Sequence, residues 1–282
     1  MMASLLESFG VVLDGDVEQL YWTGAYSLGF YLTLTVLVNL LGIDAWILSK
    51  SKDKAIREAS HSKSKEGVQR RVYMCSTAQS LLSSIVSTVT AFHLAYTHRN
   101  WHTYTPEKLL FNPDPHTFFY CSLMAGYFAS DLIVEIVYYR CFEEFGMIIH
   151  HVIFLFCCVH NLKNKVFTFQ FIWLSLCETS TPFVNVRWIL HVLGRKDSAL
   201  YLYNGGLLTL TFLFFRVFVY TFGLYHLYTI YPVLLHSDKP FASKFVVPTF
   251  LVVGYMLNLL WSTKILRGLI SLIRKRTAKK AQ

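Results

Sequence analysis

Apolar positions along the chain fall into seven long blocks separated by short polar intervals, at approximately residues 22–48, 72–96, 118–139, 146–160, 167–193, 203–230 and 245–272. A bilayer core about 30 Å thick requires roughly 20 apolar residues per helix, because in lipid every backbone polar group must be bonded within its own segment. The pattern therefore predicts about seven transmembrane helices. The fourth block is the short one: about 15 helical residues rise only ~22 Å, so it must thin the bilayer or continue into its loop. The residues before Trp22 hold four acids and no Lys or Arg, so no signal-peptide n-region precedes the first helix, which is expected to remain in the mature chain.

Composition agrees with this pattern. Of 282 residues, 54% are hydrophobic and 15% charged, which does not describe a water-facing surface. The expected fold class is an all-α polytopic membrane protein. The six cysteines lie in or beside apolar stretches without C-x-x-C pairs, which excludes a disulfide scaffold and a structural zinc site. The net charge of +9 would suggest nucleic acid in a soluble protein, but the placement of the bases points elsewhere. With the amino terminus outside, seventeen Lys and Arg fall on the cytosolic side: eight in 49–71, Arg140, Arg195 and Lys196, and six from Arg267 to Lys280. Six fall on the lumenal side, so the positive-inside rule sets a lumenal amino terminus and a cytosolic tail. No nucleic-acid partner is expected. The segment 49–71 reads as a basic, solvated cytosolic linker touching anionic headgroups. Lys279-Lys280 matches the dilysine pattern that coat proteins read for retrieval to the endoplasmic reticulum.

The three bases and several acids left inside the helices carry the functional argument, since a charge at membrane depth costs roughly 2.5–3.5 kcal/mol on insertion and by default faces a cavity or a partner. Asp131 and Glu135 are four apart and share a helix face, with Tyr127 and Tyr138 near that stripe. His150-His151 opens the fourth helix, Glu178, Arg187 and His191 lie on the fifth, and Arg216 on the sixth. Counting residues places these groups in the cytosolic half of one bundle, around a hydrophilic cavity. Three acids against Arg187, Arg216 and Lys264 also allow simple structural pairing, and Lys264, near the tail, is expected to snorkel. Adjacent histidines point about 100° apart, so one can face the cavity while the other is anchored. A neutral imidazole beside Asp131 could act as general base or as nucleophile, with the carboxylate fixing its tautomer. In Glu178-Thr179-Ser180-Thr181-Pro182, Pro182 cannot bond the Glu178 carbonyl, so a kink should expose that carbonyl, with Thr181 and Asn185 continuing one polar face. No metal site is predicted; His98, His102 and His116 share a loop where they are expected to be solvated.

Gly126-Tyr127-Phe128-x-x-Asp131, His150-His151, Glu178-x-Ser180-Thr181-Pro182-Phe183-x-Asn185-x-Arg187-Trp188, Asn204-Gly205 and Phe215-Arg216-Val217, in this order, resemble the TLC-domain family over roughly 68–272. That family includes ceramide synthases, the neuronal ceroid lipofuscinosis type 8 protein and orphan lipid-homeostasis proteins, and the likeness is nearest to the orphan subgroup of transmembrane protein 56 type. The resemblance implies a six-helix TLC-like bundle around a lipid-accessible cavity, usually in the endoplasmic reticulum, plus one extra N-terminal helix here. The expected organisation is a lumenal segment 1–21, the extra helix 22–48, the linker 49–71, the TLC-like domain 72–272 and a basic tail 273–282. Ceramide synthases join an acyl-CoA to a sphingoid amine through a paired-histidine motif followed by acidic residues. His150 and His151 match the pair; where their H-D-x-x-D segment should follow, this chain has Glu178-Thr179-Ser180-Thr181-Pro182.

Two functions follow. One is binding or sensing of a membrane lipid without catalysis, with no bound cofactor. The other is acyl transfer to a lipid amine or hydroxyl by His150 or His151, assisted by Asp131 and Glu178, with acyl-CoA or a phospholipid as donor and Arg187 or Arg216 on a phosphate. Tyr127, Glu135, Thr181, Asn185, Arg187 and Arg216 are the expected ligand-binding residues. A seven-helix receptor is excluded by the missing N-P-x-x-Y and D-R-Y signatures.

Overall fold

The computed structural model describes residues 17–112, 114–139 and 145–281, with the side chains of 17, 272, 275, 276 and 278–281 excepted. The expectations for residues 1–16, for Arg140 and for the Lys279-Lys280 side chains fall outside that description. Every regular element described is helical: α1 (Val17–Leu40), α2 (Ile43–Ser49), α3 (Lys54–Ala59), α4 (Lys65–Thr97), α5 (Pro106–Phe111), α6 (Pro115–Val137), α7 (Phe145–Asn164), α8 (Thr168–Leu176), α9 (Thr181–Val192), α10 (Ala199–Thr211), α11 (Tyr220–His236) and α12 (Val247–Ala281). Wider π turns join α10 to α11 (Phe212–Val219) and precede α12 (Ala242–Val246).

Among the described residues, five helical units are long and apolar enough to cross a membrane: Glu18–Leu40, Pro106–Val137, Phe145–Asn164, Ala199–His236 and Ala242–Ser271. The short fourth block is a full-length helix after all. α7 has 20 residues, about 30 Å. Its polar last turn hides this from hydropathy: Asn161 is buried, the Asn164 amide donates to the His160 carbonyl, and Lys239 Nζ donates to the Asn164 carbonyl at 2.7 Å. α4 is the reverse case, 33 residues whose polar groups point inward. Ser76 donates to Asp131, Gln79 to Ser130 at 2.6 Å and Ser87 to the Met124 sulfur, and Ser80 accepts from Asn185.

Six helical units close into a ring. α4 packs on α6, α6 on α7, α7 on α12, α12 on the α10–α11 unit, and α8–α9 completes the circuit between α10 and α4. α1 stands outside the ring against α6 and α4. Its contact is close because Gly126 has no side chain: a Cβ there would lie 2.4 Å from the Gly24 carbonyl. Ser27 and Ser122 tie the two helices by donating to the backbone carbonyls of Leu123 and Leu20.

The segment 49–71 keeps most of its charged side chains exposed, as a solvated linker would, but it is partly folded. α2 and α3 bury Leu48 and Ile56 against Met74 and Val192. Ser51 Oγ donates to the Val192 carbonyl at 2.6 Å and the Lys52 amide to that of Leu193. Two of its bases serve as backbone clamps: Arg57 donates to the carbonyls of Ser51 and Lys52, and Arg71 to those of Ser60 and Ser62. Hydropathy averages such short amphipathic helices into their charged surroundings. His98 is another correction, buried and 3.6 Å from Asp114 rather than solvated.

Candidate functional site

Side chains from all six units of the ring line one cavity of about 550 Å³. Tyr73 near the start of α4, Glu135 near the end of α6, Met147 near the start of α7 and Trp188 near the end of α9 all contribute, so the cavity lies in the half of the bundle that carries 49–71 and the basic tail. All ten candidate residues named from the sequence line it: Tyr127, Asp131, Glu135, His150, His151, Glu178, Thr181, Asn185, Arg187 and Arg216. Tyr138 does not join them; it caps α6 and is exposed.

The two histidines have different surroundings. His151 is held between both acids of α6, with Nδ1 2.9 Å from Glu135 Oε2 and Nε2 3.6 Å from Asp131 Oδ2. Asp131 is further fixed by Ser76 Oγ at 3.2 Å and the Tyr127 hydroxyl at 3.4 Å. His150 is buried, and its Nδ1 has no hydrogen-bond partner among the described residues. Its ring packs edge-on to Trp261 at 5.4 Å and against Phe154 at 4.6 Å. His151 is therefore the anchored imidazole and His150 the uncommitted one. Asp131, Glu135 and His151 also form a grouping of metal-ligating type, one atom from each lying within 4.8 Å of the others, where no metal set was expected. The imidazole occupies that grouping with its own contacts, since each ring nitrogen already faces a different carboxylate.

The break before Pro182 is present, as a 3-10 turn at Cys177–Ser180 between α8 and α9. The freed carbonyl is not the expected one. The Glu178 carbonyl accepts the Thr181 amide within the turn, and the Cys177 carbonyl accepts Arg216 Nε at 3.0 Å instead. Arg216 also donates to Ser180 Oγ, Thr181 Oγ1, Asn258 Oδ1 and Glu178 Oε1, the last at 3.0 Å. Thr181 Oγ1 in turn donates to Glu178 Oε2 at 2.8 Å. The Glu178 carboxylate and Arg216 guanidinium form a buried pair that ties the broken helix to the π turn between α10 and α11. Arg216, expected to bind ligand, and Glu178, expected to assist catalysis, thus engage each other in this structure. Asn185 donates to Ser80 and likewise joins α9 to α4.

Arg187 is the exception. Its guanidinium lies 4.2 Å over the Tyr201 ring, and its buried Nη1 has no partner among the described residues. Gly205 makes room for it, because a Cβ there would come within 2.4 Å of Nη1. The sequence reading did not assign α12 to the cavity lining. Trp261, Lys264 and Gly268 recur at three- and four-residue spacing on α12, a helical stripe that the surrounding apolar run disguises. Lys264 is exposed, as snorkelling requires, yet its position is on the cavity wall. Tyr73 stacks on Trp188 at 5.6 Å.

Comparison with known proteins agrees with this arrangement. The family profile described as the TLC domain matches residues 71–267, which spans the ring and excludes α1 to α3. The chain is 29% identical over 167 residues to human TLC domain-containing protein 4, covering 57% of this chain and 62% of that one. It is 33% identical over 99 residues to TLC domain-containing protein 4-B of Xenopus laevis, covering 35% and 38%. Against TLC domain-containing protein 4 A of Dictyostelium discoideum it is 25% identical over 191 residues, covering 67% and 71%. The chain thus spans less than two thirds of the length of the human and Xenopus relatives.

Proposed function

We propose that this chain, which belongs to the TLC-domain family, binds or senses a membrane lipid in its intramembrane cavity, in the endoplasmic reticulum and with the basic end of the bundle in the cytosol. The observation that carries the reading is the cavity itself: a space of about 550 Å³ bounded by apolar walls, with a few polar groups converging on it from six helices. A charged or polar group at this depth is costly, and where such groups line a cavity they point to a ligand or substrate path. The amino-terminal side of α1 is lumenal in this reading because seventeen of the bases then face the cytosol. The test is lipid analysis of the purified protein. Native chain should carry stoichiometric lipid, and Gly268→Trp, which builds into space free of any atom within 4 Å, should lose it several-fold. Equal lipid content in the two would overturn the reading.

A second reading rests on His150. An imidazole that lines the cavity without a hydrogen-bonded carboxylate would serve as the base that takes a proton from a lipid hydroxyl or amine as that group attacks a thioester carbonyl. The carbon–sulfur bond of an acyl-CoA would then break and its thiolate would leave with the proton. His151, fixed by Asp131 and Glu135, would position rather than react. Purified chain given labelled acyl-CoA or phospholipid donors should form product that His150→Ala abolishes while lipid content is kept. Product formation that is unchanged by His150→Ala would remove the catalytic assignment.

A further inference from the structure

We infer that Arg187 and Lys264 form a clamp for a phosphate ester, and so assign the anionic part of the ligand to the α9–α12 side of the cavity. The inference rests on the lipid-cavity reading and names the chemistry it would recognise. Of the three Lys and Arg residues on the cavity lining, Arg216 is engaged by Glu178, Thr181, Ser180, Asn258 and a backbone carbonyl. The acids are engaged as well: Glu178 by Arg216, and Asp131 and Glu135 by His151. Arg187 and Lys264 line the same cavity, and neither has an ion-pair or hydrogen-bond partner among the described residues.

A buried guanidinium nitrogen without an acceptor costs far more than a satisfied one. The fold nonetheless holds Arg187 in place. Tyr201 stacks beneath its guanidinium at 4.2 Å, and Gly205 leaves the space that Nη1 occupies. The guanidinium is thereby held in one orientation on the cavity lining with no hydrogen-bond acceptor for Nη1 among the described residues. Guanidinium with ammonium is the pairing that suits a phosphate, the first by a fixed fork of donors and the second as a mobile point charge. Lys264, exposed and on a flexible stem, can close on the group from α12.

The same phosphate chemistry could arrive on a lipid headgroup or on the nucleotide part of an acyl-CoA. Binding is read on the full chain in dodecyl maltoside, which contains no phosphate, by native mass spectrometry with 1-oleoyl lysophosphatidic acid, coenzyme A, inorganic phosphate and monoolein. At least one of the two phosphate esters should bind tenfold or more tighter to the native chain than to Arg187→Met and to Lys264→Met, and monoolein should bind all three alike. Lysophosphatidic acid alone showing this dependence assigns a lipid headgroup, and coenzyme A alone showing it assigns an acyl donor. Phosphate esters that bind the variants as tightly as the native chain, or that bind none of them, overturn the clamp. Monoolein bound equally by all three would in that case preserve the lipid cavity, and its absence as well would remove both. Because Lys264 is exposed and unpartnered, Lys264→Met decides the matter even if Arg187→Met does not fold.

Discussion

Arg216→Met separates a structural cation from a ligand-binding one. The substitution keeps bulk and removes five hydrogen bonds, leaving the Glu178 carboxylate with the Thr181 hydroxyl alone. Both partners of the ion pair are largely buried, with side chains 9% and 14% exposed, so solvent screens the loss weakly. Breaking such a pair from one side costs about 3–5 kcal/mol, mostly through the charge left behind. At roughly 2.1 cal/mol/K of unfolding entropy per residue, a chain of this length should lose about 5–8 °C in its thermal midpoint. Scanning fluorimetry on protein in detergent reads this directly. The double variant Glu178→Gln/Arg216→Met carries no stranded charge and should regain at least half of the loss. Arg187→Met is the control: it gives up a cation–π contact of about 0.5–1 kcal/mol and should shift the midpoint by no more than ~2 °C. If Arg216→Met behaves like Arg187→Met, and the double variant is no better than the single, Arg216 is not what holds the broken helix to its neighbour.

Other consequences are as direct. Gly126→Val should prise α1 from α6, since its new carbon would meet the Gly24 carbonyl; a midpoint loss corresponding to about 1–3 kcal/mol is expected, and none would contradict the close packing. In a cysteine-free background, Lys54→Cys should react rapidly with a membrane-impermeant maleimide from the cytosol only, and Ile56→Cys much more slowly. Labelling from the lumen would reverse the orientation, and equal rates would restore a solvated linker. His151→Ala strands Asp131 and Glu135 together and should destabilise the chain more than His150→Ala, by at least ~1 kcal/mol, as read in the same thermal scans. The opposite ranking would exchange the roles of the two imidazoles.

Much of the molecule was legible along the chain. The apolar blocks define α1, α4, α6, α7 and the later helices, because a bilayer leaves a backbone almost no other way to bond its polar groups. Spacing alone put Asp131 and Glu135 on one face, and residue counting put the intramembrane acids, histidines and arginines in one half of the bundle. The misses came where an average conceals a direction. α7 looked short because its last turn is polar, α2 and α3 were invisible within a charged run, and the Trp261–Lys264–Gly268 stripe was lost in a uniformly apolar helix.

Local sequence thus determined that this chain is helical, membrane-embedded and polar at one depth. Which charge is paired was decided only by the tertiary structure. Arg216 meets an acid 38 residues away, and His151 meets one 16 residues away. Arg187 lies over the Tyr201 ring and in the space left by Gly205. The reason is geometric: hydropathy and periodicity depend on neighbours along one helix, whereas a buried charge is satisfied, or left free for a ligand, by whichever helix the ring brings alongside it.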